Sequence, residues 1–132
     1  VVAKTPFGNI GLMVCYDLRF PELALTLRAQ GANILTAPSA FTYTTSQMHW
    51  QLLLQARGMD SQCQVLGAAQ QGWHGEKRQT WGHSGAANSR GQLLSMVQDE
   101  GTQLITVPFD LDEQSKIRES MPLMQHRRLL QF

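Results

Sequence analysis

The chain has 132 residues, 42% apolar and 16% charged, with a formal net charge of +1. That length suits one domain over residues 1–132, with room for a core that needs no covalent staples. The low charge argues against disorder and for buried sheet, and near-neutrality excludes a strong field toward nucleic acid or a membrane surface. The two cysteines, Cys15 and Cys63, form neither a C-x-x-C pair nor a Cys/His cluster at zinc spacing. The first residues carry no signal-peptide pattern, and no apolar run approaches the ~20 residues of a membrane span. A reduced, cytoplasmic protein is the expectation.

Thr5-Pro-Phe-Gly-Asn9 reads as a turn. Ile10 to Val14 is a short apolar run, expected as a strand buried on both faces. Pro21 and Glu22 suit the first turn of a helix: Pro lacks a hydrogen that would be unpaired there, and Glu complements the positive dipole end. Leu23, Ala24 and Leu27 make its apolar face, and Gly31 is its stop. Ile34 to Ala37 is the next strand, halted by Pro38-Ser39. Strand, helix and strand in this order make a βαβ unit with parallel strands. Ligands in such sheets sit beyond the strands' carboxyl ends, so Cys15 and the segment 38–45 share one rim.

Thr44, Thr45 and Ser46 offer caps for a second helix, and Met48, Leu52, Ala56 and Met59 give it a helical stripe, widened by Trp50, Leu53 and Leu54. Gly58 inside that helix predicts a close backbone approach. Residues 63–69 read as a third strand and 70–82, with three Gly, two Trp and Lys77-Arg78, as a surface loop. His83 to Asn88 and Gln92 to Val97 flank Ser89-Arg90-Gly91 as a hairpin. Asp99-Glu100-Gly101 is another turn, and 102–109 is a β-prone run. Asp110 or Asp112 caps a last helix that ends before Pro122, followed by a tail that is basic at 126–128 and apolar beyond. The fold class is α/β, with a βαβ start and an antiparallel meander later.

The chemistry concentrates at Cys15. A thiolate is the attacking species, and helix starts and neighbouring cations favour it. The helix at Pro21 and the guanidinium of Arg19 are both close in sequence, and the Tyr16 backbone N–H is placed to steady an oxyanion. A buried strand cysteine is the plain alternative, but Cys-Tyr-Asp-Leu-Arg-Phe-Pro-Glu crowds polar and aromatic residues around a strand end. Asp17 and Arg19 either pair with each other, or Arg19 meets a substrate carboxylate bidentately. A Cys–His hydrolase, with His49 or His83 as base, is a further alternative. Cys63 reads as structural, and no histidine has metal-site spacing.

The segment Gly11-Leu-Met-Val-Cys-Tyr-Asp-Leu-Arg-Phe-Pro-Glu-Leu23 resembles the nucleophile motif of the nitrilase superfamily, the carbon–nitrogen hydrolases. The likeness continues through Gly31 to Phe41, His49-Trp50, Arg57 to Gln62 (with Gly58 where Ala is usual), Gly82-His83-Ser84 and Pro122 to Arg128. It lies nearest the branch of deaminated-glutathione amidase and omega-amidase. The resemblance implies an α-β-β-α sandwich, an oligomer in the complete family member, and amide hydrolysis through a Cys thioester without metal or cofactor. It places the nucleophile on Cys15 and an oxyanion donor on the Tyr16 backbone. Arg19, Phe41 and Thr45 fall where the branch contacts the carboxylate end of a small amide substrate. The family's general-base Glu and its Lys lie upstream of the nucleophile. Here no acidic residue precedes Cys15, and Lys4 has the wrong context. The chain therefore resembles the C-terminal half of such an enzyme, inactive by itself. The alternative is an inactive remnant or oligomerisation partner of the same family. Either version is expected to leave open sheet edges and bare apolar faces, and so to self-associate.

Overall fold

The computed structural model describes residues 1–98 and 101–128. Two short strands, β1 (Val2–Ala3) and β2 (Ile10–Leu12), lead into a 3-10 turn at Cys15–Arg19 and helix α1 (Pro21–Ala29). Strand β3 (Ile34–Thr36), the long helix α2 (Tyr43–Ser61) and β4 (Gln64–Gly67) complete two βαβ units. Then come β5 (Gln71–His74), β6 (Arg78–Trp81), β7 (Gly85–Ala87), β8 (Leu93–Met96), α3 (Leu111–Ser120) and α4 (Leu123–His126).

The main sheet runs β1-β2-β3-β4-β7-β8, parallel across β2, β3 and β4 and antiparallel at β1, β7 and β8. The βαβ start and the antiparallel continuation are as the sequence predicts. Gly11, Leu35, Val65 and Ala87 stand in one register row, all buried. This face takes both helices. A Cβ on Gly11 would meet Leu35 at 2.7 Å and Leu27 of α1 at 3.1 Å, and one on Gly67 would meet Trp50 and Leu54 of α2 within 2.9 Å.

The next row, Leu12, Thr36 and Leu66, looks the other way, and Leu12 is 49% exposed. Val14 is exposed as well. The expectation that residues 10–14 are buried on both faces is therefore corrected. The reason is topological. Right-handed crossovers that advance in one direction through β2, β3 and β4 put both helices on the same side of the sheet.

Helix α2 carries a second correction. The stripe read from Met48, Leu52, Ala56 and Met59 faces outward, with Met48, Leu52 and Met59 all exposed. The buried face is Ser46, Trp50, Leu54, Arg57, Gly58 and Ser61. The period was right and the phase was not: two residues along a helix turn the face by roughly 200°. Trp50 and Leu54, which widen the predicted stripe, lie on this inner face together with the small Ser46, Gly58 and Ser61, which allow close packing. The N-cap is Thr42 rather than Thr44, Thr45 or Ser46, and the Ser46 hydroxyl donates back to the Thr42 carbonyl at 2.7 Å. The close approach predicted at Gly58 is present: a Cβ there would stand 2.5 Å from the Asn88 carbonyl oxygen.

Residues 70–82 are not a loop but the β5–β6 hairpin, a separate two-stranded sheet. Its glycine-bearing turn is the tip, with Gly75 at φ +67°, and Thr80 is buried within it, bonded to His74 Nε2 at 2.7 Å. Residues 102–109, read as β-prone, form no strand. Ile105, Val107 and Phe109 are half-buried and alternate with exposed neighbours, so the run keeps a strand's period without a ladder partner among the described residues. The β7–β8 hairpin and the Asp110 cap follow expectation. Asp110 Oδ1 accepts from the Asp112 and Glu113 N–H groups. Asp99, Glu100 and the apolar end of the tail lie outside the described residues.

Helix α3 seals the amino rim of the sheet. Gln114 donates to the Asn33 carbonyl at 2.9 Å, and Arg118 donates to the carbonyls of Ala32 and Gln62. Cys63 is buried there, its thiol donating to the Ala32 carbonyl at 3.3 Å. Burial pushes the Cys63 pKa up, opposed in part by a hydrogen bond from Ser61 and by the charges of Arg118 and Arg28. The opposite, carboxyl rim is not covered by α3.

Candidate active site

Backbone hydrogen bonds carry β2 beyond its last strand residue. Met13 N–H donates to the Thr36 carbonyl and Cys15 N–H to the Pro38 carbonyl, both at 2.9 Å. The nucleophile candidate is thus delivered beside the loop that follows β3. At Cys15 the chain turns sharply, with φ +47°. A residue with a Cβ in this left-handed region costs about 1–3 kcal/mol and persists only where its surroundings impose it. Asp17 is one of those surroundings: its carboxylate accepts the Val14 N–H at 2.8 Å, and its own N–H donates to the Val14 carbonyl.

Asp17 therefore does not pair with Arg19. Arg19 Nη1 instead lies 3.2 Å from His49 Nδ1 on α2. Its guanidinium carbon sits 5.3 Å from the Tyr16 ring centroid and 5.2 Å from that of Phe41, the geometry of a cation held against aromatic faces. Phe41 is buried edge-on against Trp50 at 5.2 Å, and Trp50 Nε1 donates to the His83 carbonyl at 2.7 Å. The pocket loop is thus locked to the core behind it.

Cys15, Tyr16, Arg19, Phe41 and Thr45 line one cavity of about 500 Å³. All five residues singled out from sequence are brought together. Ala40, Thr42 and Arg78 complete the described lining. Arg78 was missed, because its segment read as a solvated loop. The signal available was the β-prone Gln79-Thr80-Trp81 following the Gly75 turn, which makes a hairpin that reaches the rim. A larger cavity of about 820 Å³ lies against that hairpin, with Val97, Gln98 and residues 101–103 on its other side and Tyr43 at its edge, and its described lining holds no cysteine. Among the described residues no group of three or more His, Cys, Asp or Glu is placed to hold a metal ion, and no helix is long and apolar enough to cross a membrane.

The two histidines weighed as bases are engaged elsewhere. His49 is bonded to Arg19, while His83 bonds the Trp81 carbonyl at 2.8 Å and stacks on the Trp81 ring at 4.0 Å. Neither is hydrogen-bonded to Cys15 Sγ.

Comparison with known proteins gives the same family from sequence and from shape. A deaminated glutathione amidase from Yersinia enterocolitica is 45% identical over 129 residues, covering 98% of this chain and 45% of that protein. The crystal structure of Saccharomyces cerevisiae Nit3, a member of branch 10 of the nitrilase superfamily, superposes with a TM-score of 0.88 at 32% identity, over 98% of this chain and 47% of that one. A mutant of the amidase from Nesterenkonia sp. AN1, with the acetamide moiety of fluoroacetamide covalently added at its active-site cysteine, gives a TM-score of 0.67 at 27% identity, over 74% of this chain and 36% of that one. The chain spans about half the length of these relatives or less. The carbon–nitrogen hydrolase family model matches residues 1–119, and the chain belongs to that family.

Proposed function

We propose that this chain is the nucleophile-bearing part of an amidase that cleaves a small, carboxylate-bearing amide through a Cys15 thioester. One observation carries the reading: a thiol, a guanidinium held between two aromatic rings, and a threonine face a single cavity at the carboxyl rim of the sheet. Cys15 Sγ attacks the amide carbon as a thiolate, and the carbonyl oxygen takes the charge beside the Tyr16 N–H. The tetrahedral intermediate collapses, the C–N bond breaks, and the nitrogen takes up the proton that the base drew from the thiol, leaving as ammonia from a primary amide or as an amine from a substituted one. Water then attacks the thioester, releasing a carboxylic acid and restoring the thiol. Arg19 binds the substrate's carboxylate, with Phe41 and Thr45 beside it. The relatives' name suggests deaminated glutathione as one such substrate.

The proton transfers require a general base, and the developing oxyanion is helped by a lysine. No carboxylate and no lysine line the cavity among the described residues. This favours the reading in which the chain by itself does not turn over, as a part of a larger enzyme or as an inactive partner. The oligomer implied for complete members is proposed here too, supported by the exposed Met48, Leu52 and Met59 stripe of α2. Two free thiols suit a cytoplasmic setting.

The test has two arms. In the 132-residue chain, Cys15 is expected to be alkylated while release of the carboxylic acid from a small carboxylate-bearing amide stays at background. Turnover that depends on Cys15 would show that the missing base and lysine have substitutes. In a complete homologue, replacing the matching cysteine by Ser should abolish the thioester, and persistent turnover would sink the assignment.

A further inference from the structure

The described lining of the Cys15 cavity holds two guanidinium groups and no acid. Arg19 comes from the turn after β2. Arg78 comes from β6, and three contacts fix that strand to the pocket loop: Arg78 Nη2 donates to the Ala40 carbonyl at 3.0 Å, Thr42 bridges to Thr80, and the Trp81 N–H donates to the Phe41 carbonyl at 3.0 Å. Arg78 is thus held at the wall rather than free on a loop. Among the described residues the ion pair found is Arg57–Asp60, and neither Arg19 nor Arg78 has a carboxylate partner. A guanidinium carries five N–H donors, and a single acceptor, the Ala40 carbonyl, leaves most of those of Arg78 for a ligand. Both guanidinium groups face one cavity, Arg78 from its solvent-exposed side, so an anionic ligand group there meets an attractive charge from each. At ~30 Å³ per water, the cavity has room for a chain longer than one carboxylate and one amide.

We infer that Arg78 is a specificity-determining residue that reads a second anionic group, so that the favoured ligands carry two acids, one at Arg19 and one at Arg78. This rests on the reading of Cys15 as a nucleophile in a carboxylate-binding cavity and deepens it.

The probes are butyrate and glutarate, a monoacid and a diacid of similar length. Each is titrated at constant ionic strength against alkylation of Cys15 by iodoacetamide in the 132-residue chain, followed by peptide mass spectrometry with buried Cys63 as internal control. A hydrogen-bonded charge pair is worth about tenfold or more in affinity. Glutarate is therefore expected to half-protect Cys15 at about one-tenth of the butyrate concentration or less. Arg78→Gln should remove most of that ratio, and Arg78→Lys should keep part of it. A ratio unchanged in Arg78→Gln overturns the inference, whether or not both anions weaken together, since Arg78 would then read nothing specific to the second acid. Equal protection by both anions in the unaltered chain overturns the inference alone. Protection by neither overturns it together with the functional reading on which it rests.

Discussion

Gly58→Ala tests the packing that holds α2 against the β7–β8 turn. A Cβ at Gly58 would stand 2.5 Å from the Asn88 carbonyl oxygen, well inside van der Waals contact, and the atom it meets is backbone. That carbonyl cannot swing aside cheaply. It accepts the Gly91 N–H at 2.9 Å, the Asn88 side chain accepts the Arg90 and Gln92 N–H groups, and the Gly91 carbonyl is bonded to Gln55 of α2. Gly91 itself is close-packed, with a Cβ there 2.9 Å from Met59 Cβ. Overpacking of this kind costs about 1–3 kcal/mol. The opposing gain is helix propensity, about 1 kcal/mol for Ala over Gly. The net expectation is destabilisation of about 1 kcal/mol, which in a chain of this size lowers Tm by roughly 3–5 °C. Far-UV circular dichroism melts of both proteins at one fixed concentration measure it. A variant as stable as the unaltered chain, or more so, would show that the turn yields freely and refute the reasoning.

Cys63 gives a pH dependence. Burial raises its pKa in the folded chain above the ordinary thiol value of 9.0. Below that value both states hold the proton and the group has no effect on the pH slope. As pH rises past about 9, the unfolded state releases its proton first, so stability falls until the folded thiol also ionises. Urea unfolding from pH 8 upward should show a steeper alkaline loss in the unaltered chain than in Cys63→Ala, by at most about 1.4 kcal/mol per pH unit, and parallel slopes would refute it. Self-association is the other expectation: with Leu12 and Val14 exposed on the bare side of the sheet, sedimentation velocity should show species larger than the monomer. A monodisperse, cooperatively melting monomer would count against it.

What the sequence disclosed followed from strong local constraints. Pro21 and Gly31 bracket α1 because each suits a backbone position that few other residues fill as well. The convergence of Cys15 with the segment 38–45 followed from parallel strands, since their carboxyl ends share a rim, while Phe41 and Thr45 within it were implied by the family resemblance. The failures lie where tertiary context decides. Periodicity gave α2 but not its phase, because Ser46, Gly58 and Ser61 are buried for their small size rather than their hydrophobicity. Glycines and charges in 70–82 disguised a hairpin whose stability comes from Thr80 and Trp81 packing inward. Arg78 was hidden with it: Gln79-Thr80-Trp81 could have marked the hairpin, but the contact with the cavity is made from another sheet and depends on tertiary packing.

The two unfinished features of the molecule meet at one place. Leu12 is both the last residue of β2 and the exposed end of the uncovered row, and Cys15 follows it by one short turn. A layer that covered Leu12, Thr36 and Leu66 would therefore stand next to the carboxyl rim, where the described lining of the cavity has a thiol and two guanidinium groups but no carboxylate. The apolar burial that such a layer would gain and the acid–base groups that the proposed chemistry lacks could then come from one segment. If the proposed function holds, stability and catalysis are coupled in this fold: a segment that closes the sheet's open face is also placed to complete the site.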